Sequence, residues 1–241
     1  MERKFIEIRD GYLLKDSDKS SYEKWSLSFF HDKEIISDPM LEMTIHLDIT
    51  SILQNFRQYQ SRSFDASFNA FLIWCLVKSA SNQKEFRYRK IEGNWFLFEH
   101  LPVYIPIAIG GDARFGNMNL QPPTKMSLKQ FLSHYREELN TILEGKSRPF
   151  EVEDSKLWGL SWFVGNLPNI DFSSLSLHKS NIPSGRPLFY FGKRKEVEGK
   201  VTIPMFISFD HSNLDPLLVS QFVSDFEDRL SMESKKLRLE L

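Results

Sequence analysis

The sequence predicts an α/β fold, a two-layer α/β sandwich in which a mixed sheet is covered by helices. Segments with the spacing of amphipathic helices alternate along the chain with short runs rich in β-branched and aromatic residues. Turn signals at Glu92-Gly93-Asn94 and Glu198-Gly199 divide two of these runs and predict hairpins. Interspersed helices and hairpins are typical of a mixed sheet with helices packed against it.

Three helices are predicted in the first 82 residues, with the spans Ser20–His31, Thr50–Gln60 and Asp65–Asn82. The first has aromatic residues on neighbouring turns, among them Phe29 and Phe30. The second follows two capping candidates, Asp48 and Thr50. The third has a wide apolar stripe, so we expect it to be central and mostly buried.

Runs between and after these helices predict strands over Phe5–Ile8, Leu41–Asp48, Phe86–Ile91, Asn94–Phe98 and Val103–Ile109. The strand over Phe5–Ile8 would be a short edge strand. The segment 112–126 contains Gly116, Pro122 and Pro123, and these residues predict a loop.

In the second half, Ser127 is predicted to cap an amphipathic helix that runs to Glu144 and ends at Gly145. Three strands follow, over Trp158–Val164, Pro187–Lys195 and Lys200–Phe209, and the last two form the second hairpin. A closing helix is predicted over Leu217–Met232, and a charged tail over Glu233–Leu241.

The composition is that of an ordinary globular protein, with 41% hydrophobic and 26% charged residues. No repeat, low-complexity block or linker interrupts the chain, so we expect a single domain over 1–241. The 31 basic and 32 acidic residues nearly cancel, which argues against nucleic acid or an acidic membrane as a partner. The longest apolar run, from Ala70 to Val77, is too short to span a bilayer.

The cysteine and histidine content argues against a metal site. Cys75 is the single cysteine, which excludes an intrachain disulfide and a cysteine-based metal cluster. None of the six histidines has the spacing of a zinc ligand pair. Because one cysteine fits a reducing compartment and Met1–Phe5 opens no apolar signal segment, we expect a cytoplasmic protein without a metal.

His211 is the strongest candidate for a catalytic residue. It follows the strand that ends at Phe209, and Asp215 follows four positions later, directly before a helix that opens with Pro216. Rigid elements on both sides would hold an imidazole there, and a neutral imidazole can remove a proton from a hydroxyl or thiol. A purely structural interpretation is equally simple, since Asp215 would cap the helix in either case.

Further segments occur in a recognisable order, namely Glu85-Phe86-Arg87-Tyr88-Arg89, Asn166-Leu167-Pro168, Ile170-Asp171-Phe172-Ser173-Ser174 and Gly192-Lys193, followed by His211 and Asp215. In this order and spacing the chain resembles the chloramphenicol acetyltransferase family from about Trp25 to Leu230. The resemblance implies a homotrimer with active sites at the subunit interfaces. It also implies acetyl-coenzyme A as co-substrate and a small-molecule hydroxyl acceptor.

The resemblance assigns a role to several residues. His211 would be the general base, which removes a proton from the acceptor hydroxyl in a ternary complex. Asp215 would have a structural role, through an ion pair with an arginine of the first helix. Gly165 and Asn166 match the family's oxyanion region. Phe29 and Phe30 match its acceptor pocket, whereas the family has no compact phosphate motif that would assign residues to coenzyme A.

Several departures from the family pattern bear on the activity, three of which concern the residues around His211 and the oxyanion region. Gly165 stands where the family has a serine whose hydroxyl stabilises the oxyanion. The first helix shows no matching arginine, and only Lys19 or Lys24 could take its place. Asp210 stands where the family usually has a second histidine, and its carboxylate would raise the pKa of His211 if the two side chains met.

Three functions are therefore considered. The first is a coenzyme A-dependent O-acetyltransferase that acts on a small, partly apolar, chloramphenicol-like acceptor. The alternative is a catalytically weakened relative that binds a small ligand or a partner as a trimer. The third is an acyltransferase core like that of the dihydrolipoamide enzymes, which share the His-x-x-x-Asp motif, although no lipoyl domain or linker is evident in the sequence.

Overall fold

The computed structural model describes residues 6, 10–63, 66–146, 159–178 and 184–239. In these ranges the helices are α1 (Ser21–Phe29), α2 (Thr50–Gln60), α3 (Phe68–Ala80), α4 (Leu128–Leu143) and α5 (Pro216–Leu239). The strands are β1 (Gly11–Leu13), β2 (Met40–Asp48), β3 (Tyr88–Ile91), β4 (Asn94–Phe98), β5 (Val103–Gly110), β6 (Arg114–Leu120), β7 (Trp162–Asn166), β8 (Leu188–Phe191), β9 (Lys195–Val197) and β10 (Lys200–Asp210).

The main sheet is mixed, which confirms the predicted fold class. Its strand order is β2-β10-β8-β7-β5-β6, and β9 pairs with β10. The pairs β5–β7 and β7–β8 are parallel, and the other pairs are antiparallel. A second sheet of three strands, in the order β1-β4-β3, lies outside the main one.

Helix α5 packs against the main sheet, and α3 packs against α5 and is buried along most of its length. The residues of α3 from Ala70 to Val77 are all buried, as its wide apolar stripe predicts. On α5 the Phe222 ring centroid lies 5.7 Å from that of Phe189, and the Phe226 ring lies 6.3 Å from Phe191. Since alternate residues of a strand share one face, Phe189 and Phe191 place α5 on one side of β8.

Both predicted turns are confirmed by their backbone geometry. Glu92 and Gly93 between β3 and β4 have φ values of 48° and 83°, and Glu198 and Gly199 between β9 and β10 have 51° and 79°. Two consecutive positive φ values are the signature of a type I′ hairpin turn, in which glycine avoids the strain of the left-handed region.

The predicted loop over 112–126 is wrong over most of its length, because β6 occupies Arg114–Leu120 and pairs with β5. Gly116 lies within the strand opposite Ile107. A Cβ atom at Gly116 would come within 2.4 Å of Ile142 on α4. This glycine therefore permits close helix packing and does not mark a turn.

The predicted charged tail from Glu233 is also wrong, since α5 continues to Leu239. Ser234 and Leu237 are buried on its last turns, and the Asn55 side chain of α2 donates a hydrogen bond to Ser234 Oγ at 3.3 Å. The last two turns therefore continue the buried face of the helix, although charged residues surround them in the sequence.

The other predicted helix and strand boundaries differ from the observed ones by a few residues. The predicted strand over Trp158–Val164 becomes β7, and its first residue lies outside the described ranges. The run Pro187–Lys195 is divided into β8 and β9. Helix α3 begins at Phe68 after the cap Ser67, whereas Asp65 lies outside the described residues, as does the strand predicted over Phe5–Ile8 except for Ile6.

Candidate active site

His211 lies in the turn between β10 and α5, and its backbone is fixed on both sides. Its amide donates to the carbonyl oxygen of Pro39 at 2.8 Å, which joins the turn to the segment before β2. The amide of Leu214 donates to the carbonyl oxygen of Asp210 at 3.0 Å and closes the turn. The position of the His211 Cα atom is therefore set by two neighbouring strands and by the turn itself.

The imidazole of His211 is held in one orientation. Its Nδ1 atom lies 3.1 Å from the carbonyl oxygen of Leu214. Because a carbonyl oxygen can only accept, Nδ1 carries the proton and the Nε2 lone pair is available. The ring stacks on Phe30, with centroids 4.3 Å apart and an interplanar angle of 28°. A fixed ring with a free Nε2 lone pair has the geometry of a general base.

Asp215 caps α5. Its Oδ1 atom accepts from the Leu218 amide at 2.9 Å, and its carbonyl oxygen accepts from the Val219 amide at 3.0 Å. Within the described ranges Asp215 forms no ion pair, and Lys19, one candidate for a partner, pairs with Asp16 at 2.8 Å instead. Asp215 thus caps the helix through its hydrogen bond to the Leu218 amide, and within the described residues it is not paired with a cation.

Replacement of Asp215 by alanine is expected to lower the free energy of unfolding by about 1 kcal/mol, because the amide of Leu218 loses its acceptor. Asp215→Asn keeps an acceptor at this position and should remain within about 0.5 kcal/mol of the wild type. Urea unfolding at one fixed protein concentration measures both values. An asparagine variant as unstable as the alanine variant would show that the charge, and not the cap, matters.

Aromatic residues form a continuous strip from the surface to His211. The rings of Trp25 and Phe29 stack with centroids 4.8 Å apart, and Phe29 meets Phe30 edge-on at 5.2 Å. Trp25 and Tyr22 are nearly half exposed, at 47% and 48%. The strip therefore offers an apolar surface that leads to the imidazole, and the sequence signal for it was the occurrence of Trp25, Phe29 and Phe30 on neighbouring turns of the predicted helix.

The carboxylate of Asp210 is directed away from His211. Its Oδ2 atom lies 2.8 Å from His31 Nε2, and its Oδ1 atom accepts from the amide and the hydroxyl of Ser212 at 2.9 and 2.6 Å. His31 Nδ1 is in turn contacted by Lys90 Nζ. The side chains of Asp210 and His211 do not meet, and no sequence pattern indicated that His31 and Lys90 would lie here.

Gly165 lies under the ring of Tyr190. The two residues are paired across β7 and β8, and a Cβ atom at Gly165 would come within 2.2 Å of the Tyr190 ring. The ring thus fills the space that a serine side chain would need. Asn166, the next residue, is exposed at the end of β7.

One chain does not bring Gly165 and Asn166 to His211. Tyr190 pairs with Phe206 on β10, and Phe206 lies five residues before His211. At about 3.3 Å per residue this corresponds to about 16 Å along the strand. Within a single chain His211, Phe30 and Phe29 form one group, and the Gly165–Asn166 region is separate from it.

A cationic cavity of about 480 Å³ lies between α2, the start of α3 and α4. Its described lining includes Arg57, Arg136 and Arg194 and no carboxylate. The Arg194 guanidinium lies over the Phe68 ring at 5.5 Å, which fixes its direction. The preceding residue, Lys193, donates its amide to the carbonyl oxygen of Ile170 at 2.8 Å, so this wall of the cavity joins the segment that follows Asn166.

Arg89, in the segment Glu85–Arg89, has a structural role. Its side chain is fully buried, and it donates to the carbonyl oxygens of Leu160, Phe86 and Tyr88 at 2.8, 3.0 and 2.6 Å. Burial lowers its pKa. Arg89 thereby ties β3 to the segment that leads into β7 and does not take part in the group around His211.

Two properties of the described residues bear on other classes of function. None of the helices in these ranges has the length and hydropathy needed to cross a membrane. No three His, Cys, Asp or Glu side chains converge in these ranges as metal ligands would.

The chain matches known acetyltransferases in sequence and in fold. The chloramphenicol acetyltransferase family model matches residues 21–227. A chloramphenicol acetyltransferase from Bacillus pumilus is 22% identical over 223 residues, which are 91% of this chain and 90% of that protein. A solved chloramphenicol acetyltransferase structure superposes with a TM-score of 0.74 at 20% identity, covering 90% of this chain and 98% of the other.

A more distant solved structure has the same fold. It is a truncated catalytic core of the 2-oxoacid dehydrogenase multienzyme complex from Thermoplasma acidophilum, with a TM-score of 0.65 at 15% identity. The superposition covers 88% of this chain and 96% of that one. The fold is thus shared with a chloramphenicol acetyltransferase and with the catalytic core of a multienzyme complex.

Proposed function

The chain belongs to the chloramphenicol acetyltransferase family, whose members are coenzyme A-dependent acetyltransferases, and we propose that it acetylates a hydroxyl group of a small, partly apolar acceptor with His211 as the general base. The observation that carries this proposal is the imidazole geometry. Its Nδ1–H is bound to the Leu214 carbonyl oxygen, its ring is stacked on Phe30, and its Nε2 lone pair is left for the acceptor.

The proposed reaction takes place in a ternary complex. His211 Nε2 removes the proton of the acceptor hydroxyl while the oxygen attacks the thioester carbonyl carbon of acetyl-coenzyme A. The carbon–sulfur bond then breaks, and the thiolate of coenzyme A takes the proton back from Nε2. The acceptor leaves as an acetate ester, and the imidazole returns to its neutral state.

We place the acceptor on the aromatic strip formed by Tyr22, Trp25, Phe29 and Phe30. The strip ends at the imidazole, and its outer rings are exposed. Flat apolar rings favour an acceptor with an aromatic or aliphatic body that presents its hydroxyl to His211. A chloramphenicol-like molecule fits this description.

We propose that a second chain completes the site. Gly165 and Asn166 lie about 16 and about 20 Å along the sheet from the His211 of the same chain, too far to stabilise an oxyanion that forms at that imidazole. The homotrimer that the family resemblance implies would set this region of one subunit against the His211 of its neighbour. The shared fold with the core of a multienzyme complex supports self-association.

The oxyanion donor in this chain must differ from the family serine, since Gly165 has no hydroxyl. Two donors remain in the region, the exposed amide of Asn166 and the phenol of Tyr190, whose ring covers Gly165. Loss of a single donor typically costs on the order of 10²–10³ in rate, so one of them is needed for efficient transfer.

The cavity with Arg57, Arg136 and Arg194 is our proposed site for the phosphates of coenzyme A. Arginine binds phosphate oxygens with two parallel hydrogen bonds, and three arginines line this cavity. Arg194, which lines the cavity, follows Lys193, whose amide is bound to Ile170 in the segment after Asn166. A molecule held there by its phosphates could extend its thioester toward Gly165 and Asn166.

A catalytically weakened binding protein is the second candidate. It is favoured by one observation, namely that the Tyr190 ring fills the space of the family serine. The aromatic strip would then hold a small apolar ligand without chemistry. The two candidates share the same fold and the same surface next to His211, so they differ in turnover alone.

A thiol-release assay separates the two candidates. Acetyl-coenzyme A is incubated with the protein and a panel of hydroxyl acceptors that includes chloramphenicol, and free thiol is followed by its colour reaction. The proposal predicts acceptor-dependent release. Thermal stabilisation by an acceptor without any release of thiol would favour the binding protein.

A further inference from the structure

Four polar side chains, which we call the Asp210 cluster, are in contact next to the turn that carries His211. They are His31 from the turn after α1, Lys90 from β3, Asp210 from the end of β10, and Ser212 from the turn that follows it. The side chains of His31 and Asp210 are 7% and 1% exposed. Burial lowers the pKa of Lys90, the Asp210 carboxylate opposes this shift, and Lys33 adds to it.

The hydrogen bonds of the cluster have one consistent direction. Ser212 donates its amide and its hydroxyl to Asp210 Oδ1, so Oδ2 is left for the Nε2–H of His31. With the proton on Nε2, the Nδ1 atom of His31 accepts from Lys90 Nζ. The imidazole of His31 thus bridges the Lys90 amine and the Asp210 carboxylate, and each of these buried polar groups has a partner.

Three members of the cluster lie on the same two short segments of the chain as His211 and Phe30. Asp210 and Ser212 flank His211 in the chain, and Phe30 precedes His31. The two segments therefore meet twice, once through the hydrogen bond from His31 to Asp210 and once through the stacking of His211 on Phe30. Any shift of α1 relative to the turn would change both contacts together.

We propose that His31, Lys90 and Asp210 are positioning residues that hold the His211 imidazole against Phe30 with its Nε2 free. This inference rests on the proposed function of His211. The cluster locks the turn, as an ion pair of Asp215 would, and Asp215 itself forms none within the described residues. Trp95, which stacks on His31 at 5.6 Å, supports the bridge from the other side.

The kinetic test uses two substitutions of His31. His31→Leu removes the bridge and is expected to lower kcat by about 10²-fold with little change in either KM, since a small misplacement of a catalytic group costs about that much. His31→Gln retains a donor for Asp210 and an acceptor for Lys90 and should recover most of this loss. Wild-type kcat in His31→Leu would overturn the proposal, as would equal losses in both variants.

A spectroscopic measurement tests the proposal independently of turnover. Nitrogen-15 NMR of histidine-labelled protein reports which ring nitrogen of His211 carries the proton, with His211→Ala identifying its signals. The proposal predicts an Nδ1–H tautomer in the wild type and in His31→Gln, and a mixture of tautomers in His31→Leu. An unchanged tautomer in a folded His31→Leu variant would contradict it.

Two further outcomes are distinguishable. In the first, the wild type releases no thiol, but the Nδ1–H tautomer of His211 is present in the wild type and lost in His31→Leu. The positioning role then stands and the proposed function fails. If His31→Leu does not fold, Lys90→Met removes the partly buried outer member while the bond from His31 to Asp210 remains. It should shift the His211 tautomer in the same direction by a smaller amount, and no shift would overturn the role of Lys90.

Discussion

Replacement of His211 by alanine is expected to lower kcat for acetyl transfer by about 10²–10⁴-fold, the usual contribution of a positioned general base. KM for acetyl-coenzyme A should remain nearly unchanged, because in the proposed reaction the imidazole contacts the acceptor hydroxyl and not the phosphates. Stability should change little, since the ring is only partly buried and the turn retains the hydrogen bonds of its backbone.

A matched control for this variant is His46→Ala, which removes an exposed imidazole from β2 far along the sheet. It should retain full activity. The measurement is the acceptor-dependent release of thiol at saturating acetyl-coenzyme A, beside the unfolding midpoint of each variant. Equal rates for the wild type and His211→Ala would leave the fold assignment intact and would remove the general base.

The double variant Arg57→Glu, Arg194→Glu is expected to raise KM for acetyl-coenzyme A by about 10²-fold or more, because each hydrogen bond to a charged group contributes about 1.5–3 kcal/mol. Its kcat should stay close to that of the wild type, since the cavity is remote from the reacting carbonyl. The increase should shrink at high salt, which screens the introduced carboxylates as well as the remaining arginine.

Acetyl-pantetheine is the control substrate for this variant. It carries the same thioester without the phosphate groups, so its KM should be equal for the wild type and the double variant. A double variant with wild-type KM for acetyl-coenzyme A would show that the phosphates bind elsewhere. An equal rise in KM for both substrates would mean that the substitutions distorted the cavity and did not merely reverse its charge.

Those parts of the fold with strong local signals could be predicted from the sequence. The two Glu-Gly turns, the cap at Ser127 and the apolar stripe of α3 depend on a few neighbouring residues, and the structure confirms them. The errors arose where a tertiary contact reversed a local preference. Gly116 lies in a strand because Ile142 packs against it, and α5 passes Glu233 because Ser234 and Leu237 are covered by other elements.

The site, like the fold, could be predicted from the sequence only in part. The position of His211 between a strand and a capped helix follows from local sequence, and so does the aromatic spacing on α1. The Asp210 cluster could not be predicted, since His31, Lys90 and Asp210 are far apart in the chain and only the fold brings them together. The separation of Gly165 from His211 likewise depends on the strand register, which no local pattern specifies.

We expect His211 of one chain to work with the arginine cavity and the Gly165 region of another chain, and mixed trimers provide the test. His211→Ala and the double variant Arg57→Glu, Arg194→Glu are refolded together, and thiol release is measured at low acetyl-coenzyme A, where each alone is nearly inactive. If the site is shared, mixed trimers contain sites with both halves intact, and activity returns to a substantial fraction of wild type. Mixtures no more active than the two separate variants would contradict a shared site.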